Sequence, residues 1–217
     1  MIAEEFTKND IPNISAKEGA TVEYITKAIK AACIPFKKAS KQPNILKPLN
    51  ENKLTQIFVE QVEVKIKSNP FIGVKNQYSD LFLGTKGIPD FYFHKVEEGV
   101  QHEPVFIVES KRLPSPTFET EYVKGKKKNG GIERYKIEKH GKGFSECGML
   151  GFIEKDNYSF WLTKINKWIE DLSNSDTTWN KDEVLKVMEN RTDFFYLHSN
   201  VHTTSLKNIL LHHFWIE

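Results

Sequence analysis

Two cysteines, Cys33 and Cys147, are all that 217 residues contain. They are too few and too far apart for a disulfide framework or a metal knuckle, and they read as buried thiols in a reducing compartment. No apolar run approaches the length that crosses a bilayer, so no membrane contact is expected. The opening Met1-Ile2-Ala3-Glu4-Glu5-Phe6 lacks the basic and apolar regions of a secretory leader, which points to the cytoplasm. Net charge is also small: 31 Lys and Arg against 29 Asp and Glu leave +2, so contact with nucleic acid must come from local clustering. Internal repeats and low-complexity tracts are missing, and Gly130-Gly131 lacks the tail and spacing of a phosphate-cradling glycine loop. The 39% of hydrophobic residues is enough for one substantial core.

Against that background one constellation stands out. Two short apolar runs, Phe91 to Phe93 and Val105 to Val108, carry Asp90 at the start of the first and Glu109 and Lys111 at the end of the second. Side chains alternate along a strand, so Glu109 and Lys111 project from the same face. The runs flank Glu97-Glu98-Gly99, a turn-like break, and read as an antiparallel hairpin. A reversal at that turn sets Asp90 opposite Glu109. An isolated Glu-x-Lys is most simply the solvated end of a strand and Asp90 a turn residue. The complete set argues otherwise, because acids and lysines are rarely buried unless paired and the second strand is apolar on both faces.

With Pro89-Asp90 opening one strand and Glu109-Ser110-Lys111 closing its partner, the chain resembles the PD-(D/E)xK nuclease superfamily over about residues 49–160, judged from element order. The resemblance implies an α/β, restriction-endonuclease-like core of helix, three-strand meander, helix and strand. An extra N-terminal helix precedes it, and further helices and strands follow. It implies Mg²⁺, with Mn²⁺ able to substitute, held by Asp90, Glu109, the backbone carbonyl of Ser110 and a first-helix glutamate, Glu51. Lys111 then orients or deprotonates the attacking water. The activity implied is phosphodiester hydrolysis, in DNA before RNA, in a restriction or antiviral defence setting. Dimers are common in the superfamily, and no residue here shows one. The competing reading is a catalytically silent module that binds nucleic acid or protein on the same scaffold, since fold does not settle activity.

Residues 1–14 read as a polar arm. Ser15 and Glu18 form a capping box for a first helix, with Val22, Ile25, Ile29 and Ala32 on one face, ending before Pro35. A proline- and lysine-rich connector follows to Pro48, so 1–48 stands as an N-terminal segment ahead of a domain at 49–217, and as a docking element for a protein partner or simply a cap. Asn50 caps a second helix with Leu54, Ile57, Phe58 and Val62 inward. Glu51, seven positions before Phe58, points the same way, although a first-turn glutamate also complements the helix dipole. Glu60 is the weaker site candidate. Phe71 to Lys75 begins the first strand, Gly131 to His140 reads as a helix closed by Gly141, and Gly148 to Ile153 as a buried strand. Trp161, Ile165, Trp168, Ile169 and Leu172 recur at helical spacing and read as packing. Phe194 to His198 and Ile209 to Ile216 read as two further strands. Adjacent His212 and His213 face opposite sides and cannot converge on one metal.

Over 111–142 ten basic residues stand against four acidic ones, a net +6. Such runs are commonly solvated surface. Because this one follows Lys111 directly, Lys124, Lys126, Lys127, Lys128 and Arg134 are assigned to nucleic-acid phosphates.

Overall fold

A computed structural model of the chain describes residues 18–77, 87–96, 103–205 and 207–217. Four helices, α1 (Glu18–Ala39), α2 (Glu51–Ile66), α3 (Gly131–Lys136) and α4 (Tyr158–Ser175), flank a sheet of seven strands. These are β1 (Ile72–Asn76), β2 (Phe91–Lys95), β3 (Pro104–Leu113), β4 (Glu146–Ile153), β5 (Lys186–Asn190), β6 (Phe195–His202) and β7 (Asn208–Ile216). The architecture is α/β and the sheet is mixed, in the order β1-β2-β3-β4-β7-β6-β5. β3, β4 and β7 run parallel at its centre, and antiparallel strands extend it on both sides.

Alternation along the central strands builds two cores. Phe106 and Val108 of β3, with Leu150 and Phe152 of β4, pack under α1 and α2. Ile107 of β3 and Met149 of β4 face the opposite layer with Ile132 and Tyr135 of α3 and Trp161, Ile165 and Ile169 of α4. A strand buried on both faces has no polar side to show, which is why β3 lacks the usual in–out alternation. Both longer capped helices start at an asparagine. Asn50 accepts from the Lys53 N–H at 2.9 Å, and Asn157 accepts from the Phe160 N–H at 2.9 Å.

The first helix does not stop at Pro35. α1 continues through it to Ala39. Phe36 is buried there against Phe58 and Phe152, with ring centroids 5.6 and 5.3 Å away. That packing offsets the backbone hydrogen bond that proline cannot donate. The expected face Val22, Ile25, Ile29 and Ala32 is buried in the same core as α2, so α1 belongs to the body of the fold. Ser15, its expected cap, lies outside the described residues.

α3 is shorter than expected. It ends at Lys136, Glu138 takes a positive φ of 55°, and the chain turns before Gly141, whose φ is +72°. The Lys139 and His140 N–H groups both donate to the Arg134 carbonyl, which curls the segment back toward the sheet. β5 lies beyond the sequence reading: Lys-Val-Met-Glu-Asn is mostly exposed, pairs only with β6 among the described strands, and shows no alternation. No described helix is long and apolar enough to cross a membrane.

Candidate active site

β2 pairs with β3 in antiparallel register, Phe91 with Val108 and Tyr92 with Ile107. One step outward, that register sets Asp90 opposite Glu109. The reversal at Glu97 to Gly99 lies outside the described residues. β2 begins at Phe91, so β3 runs on past it from Glu109 to Leu113 with only β4 alongside among the described strands. The side chains on this overhang are therefore the ones free to meet groups arriving from either layer.

Lys111 is the hub of what they meet. Its Nζ donates to the Ser110 carbonyl at 2.8 Å, and lies 2.9 Å from Glu109 Oε1 and 3.0 Å from Glu51 Oε1. The residue is only 4% exposed. Glu51 occupies the first turn of α2, and its other oxygen accepts the Arg112 N–H at 3.1 Å. Asp90 Oδ2 accepts the Ser110 N–H at 2.7 Å, fixing the Asp90 carboxylate to the peptide between Glu109 and Lys111. Three carboxylates and one ammonium thus converge on the Glu109-Ser110-Lys111 segment.

The far side of Glu109 is closed by α3 and its exit turn. Arg134 Nη1 is 2.5 Å from Glu109 Oε1, and His140 Nδ1 is 3.3 Å from Oε2. Among the described residues, Glu109 Oε2, both His140 nitrogens, Arg134 Nε and Ser110 Oγ are buried without a hydrogen-bond partner. Gly87 makes this closure possible. A Cβ on it would lie 2.1 Å from the Lys139 carbonyl oxygen and 2.2 Å from His140 Cδ2, so only glycine lets the approach to Asp90 press on that turn.

Charges follow from these contacts. Burial, and then the neighbouring Glu109 charge, push Asp90 up to about 7 despite Lys111 and the Ser110 N–H. Burial alone would raise Glu109, but Lys111, then His140 and Arg134, outweigh it and hold the carboxyl below its ordinary range. Burial works to lower Lys111, but Glu109, Glu51 and Asp90 together keep its ammonium above the ordinary lysine range. Burial drives His140 down to about 4, against the opposing pull of the Glu109 charge.

The donor chemistry suits a hard divalent cation. Glu51, Glu109 and the Ser110 carbonyl supply three oxygens around one point, and Mg²⁺ needs only one or two carboxylates with water or substrate oxygens completing its shell. The ammonium of Lys111 stands at that point. Asp90 is turned onto the Ser110 N–H, and among the described residues no three His, Cys, Asp or Glu side chains form a ready cage.

Of the residues assigned from sequence, Asp90, Glu109, Ser110, Lys111 and Glu51 are brought together. Glu60 is exposed and receives the Gln56 amide at 3.0 Å. Arg134, expected on phosphates, sits in the cluster on Glu109. Lys124 pairs with Asp176 at 2.9 Å, Lys126 lies over the Phe118 ring at 5.0 Å, and Lys127 and Lys128 are exposed. His140 was not assigned, because a helix drawn from Gly131 to His140 gives no reason for its last residue to turn back. His212 and His213 do face opposite ways: His212 bonds Tyr196 and Glu146, while His213 bonds Tyr122 and Ser199. Comparison with protein-family models, curated proteins and solved structures finds no match.

Proposed function

We propose that this protein is a divalent-metal-dependent nuclease that hydrolyses phosphodiester bonds, with DNA as substrate. One observation carries the reading: a buried lysine, two carboxylates and a carbonyl meet at the end of β3, with a third carboxylate tied to the same peptide. Burying so many charges is costly unless function retains them. The element order α2, β1 to β3, α3, β4 supports a restriction-endonuclease-like core for the reading.

Glu51, Glu109 and the Ser110 carbonyl, joined by Asp90, are the groups that would hold Mg²⁺ or Mn²⁺. Such an ion, when bound, neutralises phosphoryl charge and acidifies a water. Lys111 orients the attacking water and stabilises the negative charge that develops as the phosphorus–oxygen ester bond breaks. Arg134 holds Glu109 Oε1 through Nη1 from the α3 side and fixes that carboxylate in place. The exposed Lys127 and Lys128 lie on the basic run that guides the backbone in. A restriction or defence role in the cytoplasm fits this chemistry. A protein partner engaging the N-terminal segment would meet the outer face of α1, because the inner face is spent on the core.

The test is incubation with supercoiled plasmid, linear duplex, single-stranded DNA and RNA, with and without Mg²⁺ or Mn²⁺. Metal-dependent DNA cleavage is expected, and product topology distinguishes nicking, end digestion and double-strand cutting. Asp90→Ala, Glu109→Ala and Lys111→Ala should each lose at least ~10²-fold in rate while remaining folded. Undiminished cleavage by the Asp90 or Glu109 variant overturns the reading.

A further inference from the structure

We infer that the ε-ammonium of Lys111 is a built-in occupant of the divalent-ion position, so that a metal must expel it to bind; this rests on the metal-dependent reading above. Nζ lies 2.8 to 3.0 Å from three oxygens of three different residues, Ser110, Glu109 and Glu51. All are hard donors, and an ammonium in their midst has the placement of a coordinated cation, not that of a side chain pairing with one acid. The same contacts make it a poor neighbour for a second cation. A monovalent charge a few ångströms from a divalent ion, both shielded from water, repels it strongly.

The surroundings point the same way. Arg134 already shares Glu109 Oε1 with Lys111, so that oxygen carries two fixed positive partners while Oε2 meets the His140 ring, with Nδ1 3.3 Å away. An incoming dication therefore finds carboxylates that are neutralised in advance. Its binding is an exchange of one cation for another rather than the filling of a vacant anionic cage. Arg134 closes Glu109 from α3 and cannot take over the position on the α2 side, where Glu51 contacts Lys111 alone of the two. The resting enzyme is thus held together by its own lysine, and the metal liberates the amine that the reaction uses.

The experiment is calorimetric titration of Mn²⁺ into the full chain, free of any histidine tag, as wild type and as Lys111→Met. A parallel measurement on the wild type alone follows acetylation of Lys111 by mass spectrometry, with and without saturating Mn²⁺. Removing the competing charge should tighten Mn²⁺ binding by about tenfold or more. Saturating Mn²⁺ should raise Lys111 labelling severalfold, because expulsion exposes an amine that is now buried. Equal or weaker Mn²⁺ binding by Lys111→Met overturns the inference while leaving the nuclease reading in place, as does unchanged labelling in the wild type. The labelling result decides the matter if Lys111→Met does not fold. Absence of binding heat from both proteins overturns the inference and the metal-dependent reading together.

Discussion

At the scale of single residues, the period of a strand and the symmetry of a hairpin made the cluster legible in advance. Glu109 and Lys111 are two apart and so share a face, and the antiparallel register of β2 and β3 carries Asp90 to Glu109. Glu51 was legible for the same reason on a helix, through its position relative to Phe58. Arg134 and His140 were not legible as site residues, since six positions apart is no helical spacing and the turn that unites them depends on the left-handed Glu138. Gly87 belongs with them. Gly87→Ala should lower stability by about 1–3 kcal/mol, because its Cβ would meet the Lys139 backbone, which cannot rotate away. A thermal melt checks this, and an unchanged midpoint would mean that the approach of Gly87 to the His140 turn is not tight.

At the scale of elements, the helices and strands with a clear apolar face were recoverable and their ends were not. α2 starts at Asn50 as expected because the cap is local chemistry, a side chain bonding a backbone N–H three residues on. α1 overran its expected end because tertiary packing of Phe36 outweighed the local penalty of Pro35, and no local rule sees Phe152. Two substitutions measure that balance. Phe36→Ala should cost about 3–5 kcal/mol, the usual cost of removing a buried aromatic ring. Pro35→Ala should instead stabilise the protein by about 1–3 kcal/mol by restoring a helical hydrogen bond. Urea denaturation of both variants reports the two signs directly. β5 escaped notice because an edge strand with exposed side chains on both faces leaves no periodic signature.

At the scale of the molecule, four of the described histidines, three on the sheet and His140 in the turn after α3, are held below their ordinary range by burial. His213 is fully buried between Tyr122 and Ser199 and is driven well down, His140 and His198 fall to about 4, and His212 is lowered with Glu146 opposing. In the unfolded chain each titrates near 6.5, so below that pH the unfolded state binds more protons and stability falls. Asp90 works in the opposite sense between its unfolded value of 3.8 and its folded value of about 7, but it is one group against four. Stability should therefore level off only above about pH 7, where Asp90 has also ionised, and drop as pH falls from 6.5 toward 4. Urea midpoints at pH 7.5 and 5 test this, with His213→Gln expected to show a shallower decline than the wild type and a flat wild-type profile ruling the explanation out.

The placement of Glu109 at the centre of all these scales makes it the residue to interrogate. The most direct measurement is the single-turnover cleavage rate of duplex DNA as Mg²⁺ is titrated, for the wild type and for Glu109→Gln, which preserves shape and removes charge. Under the nuclease reading, cleavage should rise from nothing to saturation with Mg²⁺ in the wild type, and the rate should be at least ~10²-fold lower in the variant. Cleavage that is indifferent to Mg²⁺, or equal in the two proteins, would contradict it.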